Sequence, residues 1–195
     1  MQAALEPFFP GIVPLPDVFA CGLGAMNPAV HPPGVLMNAG RIEQSRGEFY
    51  FYDEGVTPAV ADAIMALDGE RRAVAAALGH PLPDAPQAFH AAAFGPKADP
   101  PDLWATINGS RMLTTLKAPG QLGTRWLSED VPYGLRAWPG LGDAVGVATP
   151  VTDDVITLGL AVLHEPLDTN RRTLADMGLD GMSRDQMFRY AHQGA

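Results

Sequence analysis

The stretch from Thr57 to Leu78 constrains this chain most, because it reads as one long, one-sided helix. Thr57 has a side-chain oxygen for the first free amides, and Pro58 loses nothing at the first helical position. Val60, Ile64, Leu67, Arg71, Val74 and Leu78 recur at helical spacing along one face. Gly79 ends the run, and Pro81 and Pro83 prevent its continuation. An apolar stripe of this length needs other helices to cover it.

The rest of the chain supplies them. Pro32-Pro33 suits a first helical turn, with a helix following over Gly34 to Gln44. Asp84 to Phe94 and Asp102 to Leu116 read as further helices, the second weakened at Gly109. Thr124 to Asp130 is another, stopped by Pro132, and Gly134 to Val145 is interrupted by Pro139 and Gly140. Thr149-Pro150 opens a helix running to about His164, with Val151, Val155, Leu158 and Val162 on one face. Ser183-Arg-Asp-Gln186 is a capping box for a last short helix ending near Tyr190. Gly47 to Asp53 reads as a short extended piece or loop. Ahead of this, residues 1–33 are broken by Pro10, Gly11, Pro14, Pro16 and Pro28, with Val18 to Cys21 as one short strand in a linker. There is no internal repeat and no convincing sheet, so the fold class is all-α.

At 195 residues the chain is one ordinary domain, and 47% apolar residues suffice for a core. Only 18% of residues are charged, a lean surface that suggests cover by another domain or subunit, a homodimer included. The net charge of −9 argues against nucleic-acid binding. Cys21 is the single cysteine and cannot form an internal disulfide, which points to a reducing compartment. Met1 to Glu6 does not resemble a secretory leader, and Val155 to Leu163 is too short to span a bilayer. These features together read as a cytoplasmic protein without membrane contact.

Four residues stand in contexts that invite chemistry. His31 lies between proline-rich points that fix its backbone, and a general acid needs such fixed placement. Residue type alone favours a structural histidine at a helix start. Arg125 and Asp130 are five residues apart, so on a helix one can face a substrate while the other faces a neighbour such as His31. Guanidinium binds carboxylate in a bidentate way, and an aspartate behind a histidine fixes its tautomer. Taken alone, these two are an ordinary surface arginine and a helix-terminal aspartate. Asn38 could bond a ligand or a loop backbone, and the small residues Ala39 and Gly40 beside it favour packing. No pair among His31, His80, His90, His164 and His192 has metal-ligand spacing. Gly22-Leu-Gly24 imitates a dinucleotide fingerprint, but Asn27 replaces its third glycine and Pro28 breaks the helix that should follow.

Three segments carry a resemblance: Asn27-Pro-Ala-Val-His-Pro-Pro-Gly-Val-Leu-Met-Asn-Ala-Gly-Arg-Ile-Glu43, Phe49-Tyr-Phe-Tyr-Asp-Glu-Gly-Val-Thr-Pro58 and Glu129-Asp-Val-Pro-Tyr-Gly134, with Arg172 to Leu179 a weaker fourth. In this order they resemble the C-terminal helical domain of the NAD/NADP octopine/nopaline (opine) dehydrogenase family. The resemblance implies an all-α bundle like the C-terminal domain of 6-phosphogluconate dehydrogenase. It also implies a reductive condensation of an α-keto acid with an amino acid, using NAD or NADP held mainly by a separate Rossmann domain or subunit. By the same resemblance, His31 and Asp130 match the acid/base dyad and Arg125 the keto-acid anchor; Asn38, from its own context, is a candidate substrate contact beside them. Residues 1–26 then correspond to the linker and last strand of a Rossmann domain missing from this chain, and 27–195 to the helical domain. Two rival readings remain. One is a helical interaction or dimerisation module that kept the fold and lost the chemistry. The other is the substrate domain of a different reductase of the 6-phosphogluconate dehydrogenase type, such as a ketopantoate-reductase-like protein. That type relies on an essential lysine, and Lys97 and Lys117, the only lysines, both sit among loop residues.

Overall fold

The computed structural model describes residues 2–165 and 172–193. Among them the chain is helical, and its β pairing is a single antiparallel bridge between Tyr50 and Lys117. The helices are α1 (Gln2–Leu5), α2 (Val18–Gly24), α3 (Asn27–Met37), α4 (Ala39–Ser45), α5 (Pro58–Ala77), α6 (Ala85–Ala91), α7 (Leu103–Asn108), α8 (Arg125–Ser128), α9 (Ala137–Val145), α10 (Pro150–Leu163) and α11 (Arg184–Gln193). Two π-helical turns, Phe51–Gly55 and Asp130–Leu135, lie between them. No described helix is long and apolar enough to cross a membrane.

Helix α5 forms as its pattern dictates. The Thr57 side chain accepts from the amide of Val60, and the whole predicted stripe from Val60 to Leu78 is buried. Arg71 sits in that stripe at 1% exposure and makes a buried ion pair with Asp68. Its Nε donates to Asp68 Oδ1 at 2.8 Å, and its Nη1 and Nη2 donate to the carbonyls of Leu23 and Pro83 at 2.6 and 3.1 Å. Asp68 Oδ2 accepts from the amide of Ala85 at 3.1 Å. One charged pair thus ties α5 to the end of α2 and to the start of α6, with its polar atoms supplied with partners.

Helix α3 runs through the middle, touching α5, α8, α10 and the second π turn. It starts at Asn27, one turn earlier than the proline pair predicts, because Pro28 already fills the first-turn position. Pro32 and Pro33 therefore lie inside the helix, where each removes an amide donor. Burial compensates: Pro28, Ala29, Val30, Pro32, Pro33, Gly34 and Val35 are all buried. Two close approaches set its neighbours. A Cβ on Gly34 would lie 2.7 Å from Phe51 Cζ, and one on Gly134 would lie 2.5 Å from Pro28 Cγ. Glycine at these two positions lets both π turns press against α3.

Several expectations need correction. Val18 to Cys21 is helical, not a strand: Asp17 Oδ1 accepts from the amides of Phe19 and Ala20, and α2 packs on α5. Asp17 Oδ2 also lies 2.8 Å from His80 Nε2, at ion-pair distance but out of line for a hydrogen bond. The segment expected over Gly34 to Gln44 is split at Asn38, between α3 and α4. Pro132 does not stop the chain's coiling; it sits within the second π turn. Pro139 falls in the first turn of α9, where no amide partner is lost, so that helix continues. The start of α10 is capped from a distance: Glu70 accepts from the amides of Val151 and Thr152, both at 2.8 Å. The reciprocal Ser183–Gln186 bonds form as the capping box predicts.

Replacing Asp68 with alanine leaves the Arg71 guanidinium buried without its counter-charge, together with the Ala85 amide. Such a loss should cost about 3–5 kcal/mol of folding stability. Urea unfolding of Asp68→Ala beside the parent chain measures it; a change below about 1 kcal/mol would mean that water reaches the guanidinium in the native state.

Candidate active site around His31

His31 lies on the α3 turn that its flanking prolines stiffen, and both of its ring nitrogens are engaged. Nδ1 lies 2.8 Å from Asp130 Oδ2, and Nε2 lies 3.0 Å from the Tyr52 hydroxyl. The ring also stacks on the Trp126 indole, with centroids 4.3 Å apart and planes 6° from parallel. Phe51 meets the same indole edge-on at 4.7 Å. His31 and Asp130 are partly exposed, with side chains 12% and 17% accessible, whereas Tyr52 is buried. The imidazole therefore has two fixed polar partners, one aromatic wall and an opening toward solvent.

Each partner is placed by unusual backbone. Asp130 opens one π turn and Tyr52 stands in the other. A π turn inserts an extra residue into the coil and redirects side chains, and such turns are frequent at functional sites. The first is held from outside: Phe51 N–H donates to the Leu116 carbonyl at 2.9 Å, and Asn38 Nδ2 donates to the Gly34 and Gly55 carbonyls at 2.9 and 3.0 Å. Asn38 thus braces α3 against the turn that carries Tyr52. The exposed Arg41–Glu54 pair adds a further tie, with Glu54 also accepting from the Tyr50 amide at 2.8 Å.

Of the four residues singled out by sequence, His31 and Asp130 come together across 99 positions. Arg125 opens α8, next to the Trp126 that stacks on His31. Its side chain is 84% exposed and bonded to Glu129, Nε to Oε2 at 2.5 Å and Nη2 to Oε1 at 3.3 Å. Asn38 has both amide hydrogens on backbone carbonyls. Tyr52 and Trp126 escaped sequence reasoning as partners of His31. The available signal was aromatic density, Phe49-Tyr-Phe-Tyr52 and Trp126, in the same segments that carry the family pattern.

A cavity of about 780 Å³ opens beside this centre. Its wall is mainly apolar, with Phe19, Leu23, Met26, Trp138 and Leu141, and Asp130, Glu129 and Arg172 are among its polar lining residues. Asp130 thus borders the cavity while its Oδ2 holds His31. Gly22-Leu-Gly24 also bears on cofactor binding. It lies within α2, whose first amides are already taken by the Asp17 carboxylate. The two glycines close a helix and no strand precedes them among the described residues, so this segment is not the strand–turn–helix that holds a dinucleotide.

Residues 14–163 match the family described as NAD/NADP octopine/nopaline dehydrogenase, alpha-helical domain. The chain belongs to that family. An opine dehydrogenase of Arthrobacter sp. (strain 1C) is 32% identical over 174 residues, 89% of this chain and 47% of the relative. A vitopine synthase of Allorhizobium ampelinum is 33% identical over 157 residues, 80% of this chain and 42% of the relative. A solved octopine dehydrogenase in complex with NADH and agmatine shares the fold, with a TM-score of 0.76 at 21% identity over 96% of this chain and 53% of that one. The chain spans about half the length of the curated relatives it matches.

Burial, and secondarily the charge of Asp130, push ionisation of the Tyr52 hydroxyl well above the usual phenol range. The unfolded chain therefore loses this proton first as pH rises. The linked stability is complete below the ordinary phenol value near ~10 and falls above it, by up to about 1.4 kcal/mol per pH unit. Tyr52→Phe should remove that increment of alkaline destabilisation. Urea unfolding of both chains across the alkaline range checks it; parallel curves would place the phenol in contact with water.

Proposed function

We propose that this chain is the substrate half of an opine-dehydrogenase-like oxidoreductase, which joins the amine of an amino acid to an α-keto acid. NAD or NADP, held by a Rossmann domain or subunit that pairs with this one, supplies the hydride when bound. The observation that carries the reading is the His31 ring, bonded to Asp130 at 2.8 Å and clamped on Trp126. A carboxylate only accepts, so it keeps a proton on Nδ1 and leaves Nε2 as the working nitrogen. Nε2 donates its proton to the oxygen that leaves as water when keto acid and amine condense. Asp130 steadies the positive charge of the ring until that moment.

Arg125 receives the keto-acid carboxylate. It stands outside the core, and its guanidinium already grips a carboxylate, that of Glu129. Substrate exchanges one carboxylate for another on the same fork, so binding leaves no donor unpaired. The cavity beside Asp130 lies within reach of the same segment and offers apolar cover to the amino-acid partner. Asn38 is the least direct of the candidates: it supports the site through the turn it braces. The pairing half has an apolar surface to meet, since Phe8, Phe9, Val13 and Val18 stand exposed at 63–76%. The exposed free thiol of Cys21 fits a reducing, cytoplasmic setting.

The test supplies the chain with its nucleotide-binding half and follows NAD(P)H oxidation with paired keto acids and amino acids. The expected product has the summed mass of the two substrates, less water and plus two hydrogens. His31→Asn should lower kcat about a hundredfold or more. Arg125→Lys keeps the charge but loses the parallel donors. At about 1.5–3 kcal/mol it should lower kcat/KM for the keto acid roughly ten- to hundredfold, with cofactor affinity unchanged. Wild-type turnover in His31→Asn would refute the dyad, and wild-type keto-acid titration in Arg125→Lys would move the anchor elsewhere.

A further inference from the structure

The working nitrogen of His31 is not free. Nε2 meets the Tyr52 hydroxyl at 3.0 Å, while Asp130 holds Nδ1 at 2.8 Å and Trp126 covers one face of the ring. We propose that Tyr52 is a positioning residue for His31: its hydroxyl holds Nε2 in both protonation states of the ring while no substrate is bound, and cedes that place to the substrate oxygen that takes the proton. This inference rests on the acid/base role given to His31 above.

The argument is one of donors and acceptors. Asp130 keeps a hydrogen on Nδ1, so the neutral ring presents a lone pair at Nε2 and needs a donor there. The protonated ring presents N–H at the same point and needs an acceptor. A phenol serves both by rotating its O–H, without moving a heavy atom. An amide or a carboxylate at this place would favour one state over the other. Burial keeps the hydroxyl un-ionised, so it adds no second negative charge opposite Asp130.

Tyr52 is also held more firmly than a contact residue needs to be. It stands in the first π turn, whose backbone is fixed by Leu116 through Phe51 and by Asn38 through Gly55. Phe51, its neighbour, fills the notch over Gly34 and meets Tyr52 edge-on at 5.0 Å. Two separate turns thus deliver one partner to each nitrogen of a single ring. Tyr52 is buried and its hydroxyl meets the His31 ring, so it acts through His31.

The experiment has a spectroscopic arm and a kinetic arm. In the spectroscopic arm the chain alone is labelled with nitrogen-15 histidine, and the His31 ring is assigned by its loss in His31→Asn. Tyr52→Phe should move the Nε2 resonance of the neutral ring toward that of an unbonded imidazole nitrogen, with Nδ1 unchanged. Replacing Tyr52 by a fluorotyrosine, a stronger donor of the same shape, should move Nε2 the opposite way and guards against misfolding of the phenylalanine variant. An Nε2 resonance indifferent to both replacements overturns the proposal, whatever the reaction is.

In the kinetic arm, with the nucleotide-binding half supplied, Tyr52→Phe should lower kcat about tenfold and leave KM for the keto acid within about twofold, the scale of one lost hydrogen bond. A merely structural role would instead lower the melting temperature and the folded fraction, with kcat per folded molecule unchanged. Undiminished kcat in Tyr52→Phe, beside an inactive His31→Asn, overturns the role of Tyr52 and spares the dyad. Full activity in His31→Asn sinks the functional reading and this inference with it.

Discussion

The close approach of two π-helical turns to one central helix underlies everything else in this molecule. Helix α3 is buried on nearly every side, and at Gly34 and Gly134 there is no room for a methyl group between it and its neighbours. A side chain at either glycine would push a turn outward, and each turn carries one partner of His31. The site is thus set by backbone separation before any polar contact is made. The hydrogen bonds to Asp130 and Tyr52 complete an arrangement that close packing of the backbone already brings together.

The prolines of α3 belong to the same design. Pro32 and Pro33 withdraw two amide donors directly after His31, which weakens the helix there as a regular coil. In exchange they fix φ at two successive positions and bury compact apolar rings. Rigidity near the imidazole comes from covalent constraint and burial, not from the helix ladder. The chain accepts a locally poor helix where it needs a fixed histidine, a trade common at functional sites.

Where a local rule had no competitor, the sequence was a sound guide. Thr57-Pro58 with its apolar stripe gave α5, and Ser183 with Gln186 gave the start of α11. His31, Asp130 and Arg125 were singled out through the family pattern rather than through residue type, which favoured a structural histidine, a helix-terminal aspartate and a surface arginine; of the three, His31 and Asp130 come into contact. The misreadings share a cause. Asp17 before Val18 was a helix start, but Pro14, Pro16 and Pro28 around it read as breaks. Pro32 and Pro33 looked like a beginning because the burial that tolerates them depends on α5, α8 and α10. π turns have no simple periodic signature, so the extra residue that aims Tyr52 and Asp130 was invisible. The Tyr52–His31 contact spans 21 positions and the His31–Asp130 contact 99, distances at which spacing carries no information.

The cap on α10 has a consequence for how the molecule opens. The first amides of that helix are satisfied by Glu70, halfway along α5, through contacts to Val151, Thr152 and the Thr152 hydroxyl. A helix capped by its own preceding residue can fray alone; this one cannot release its first turn without stranding a carboxylate on another helix. Amide hydrogens at the head of α10 are then expected to exchange with solvent in step with those in the middle of α5, as one cooperative unit. Two stretches separated by more than 70 residues of sequence would behave, on the timescale of hydrogen exchange, as a single piece of structure.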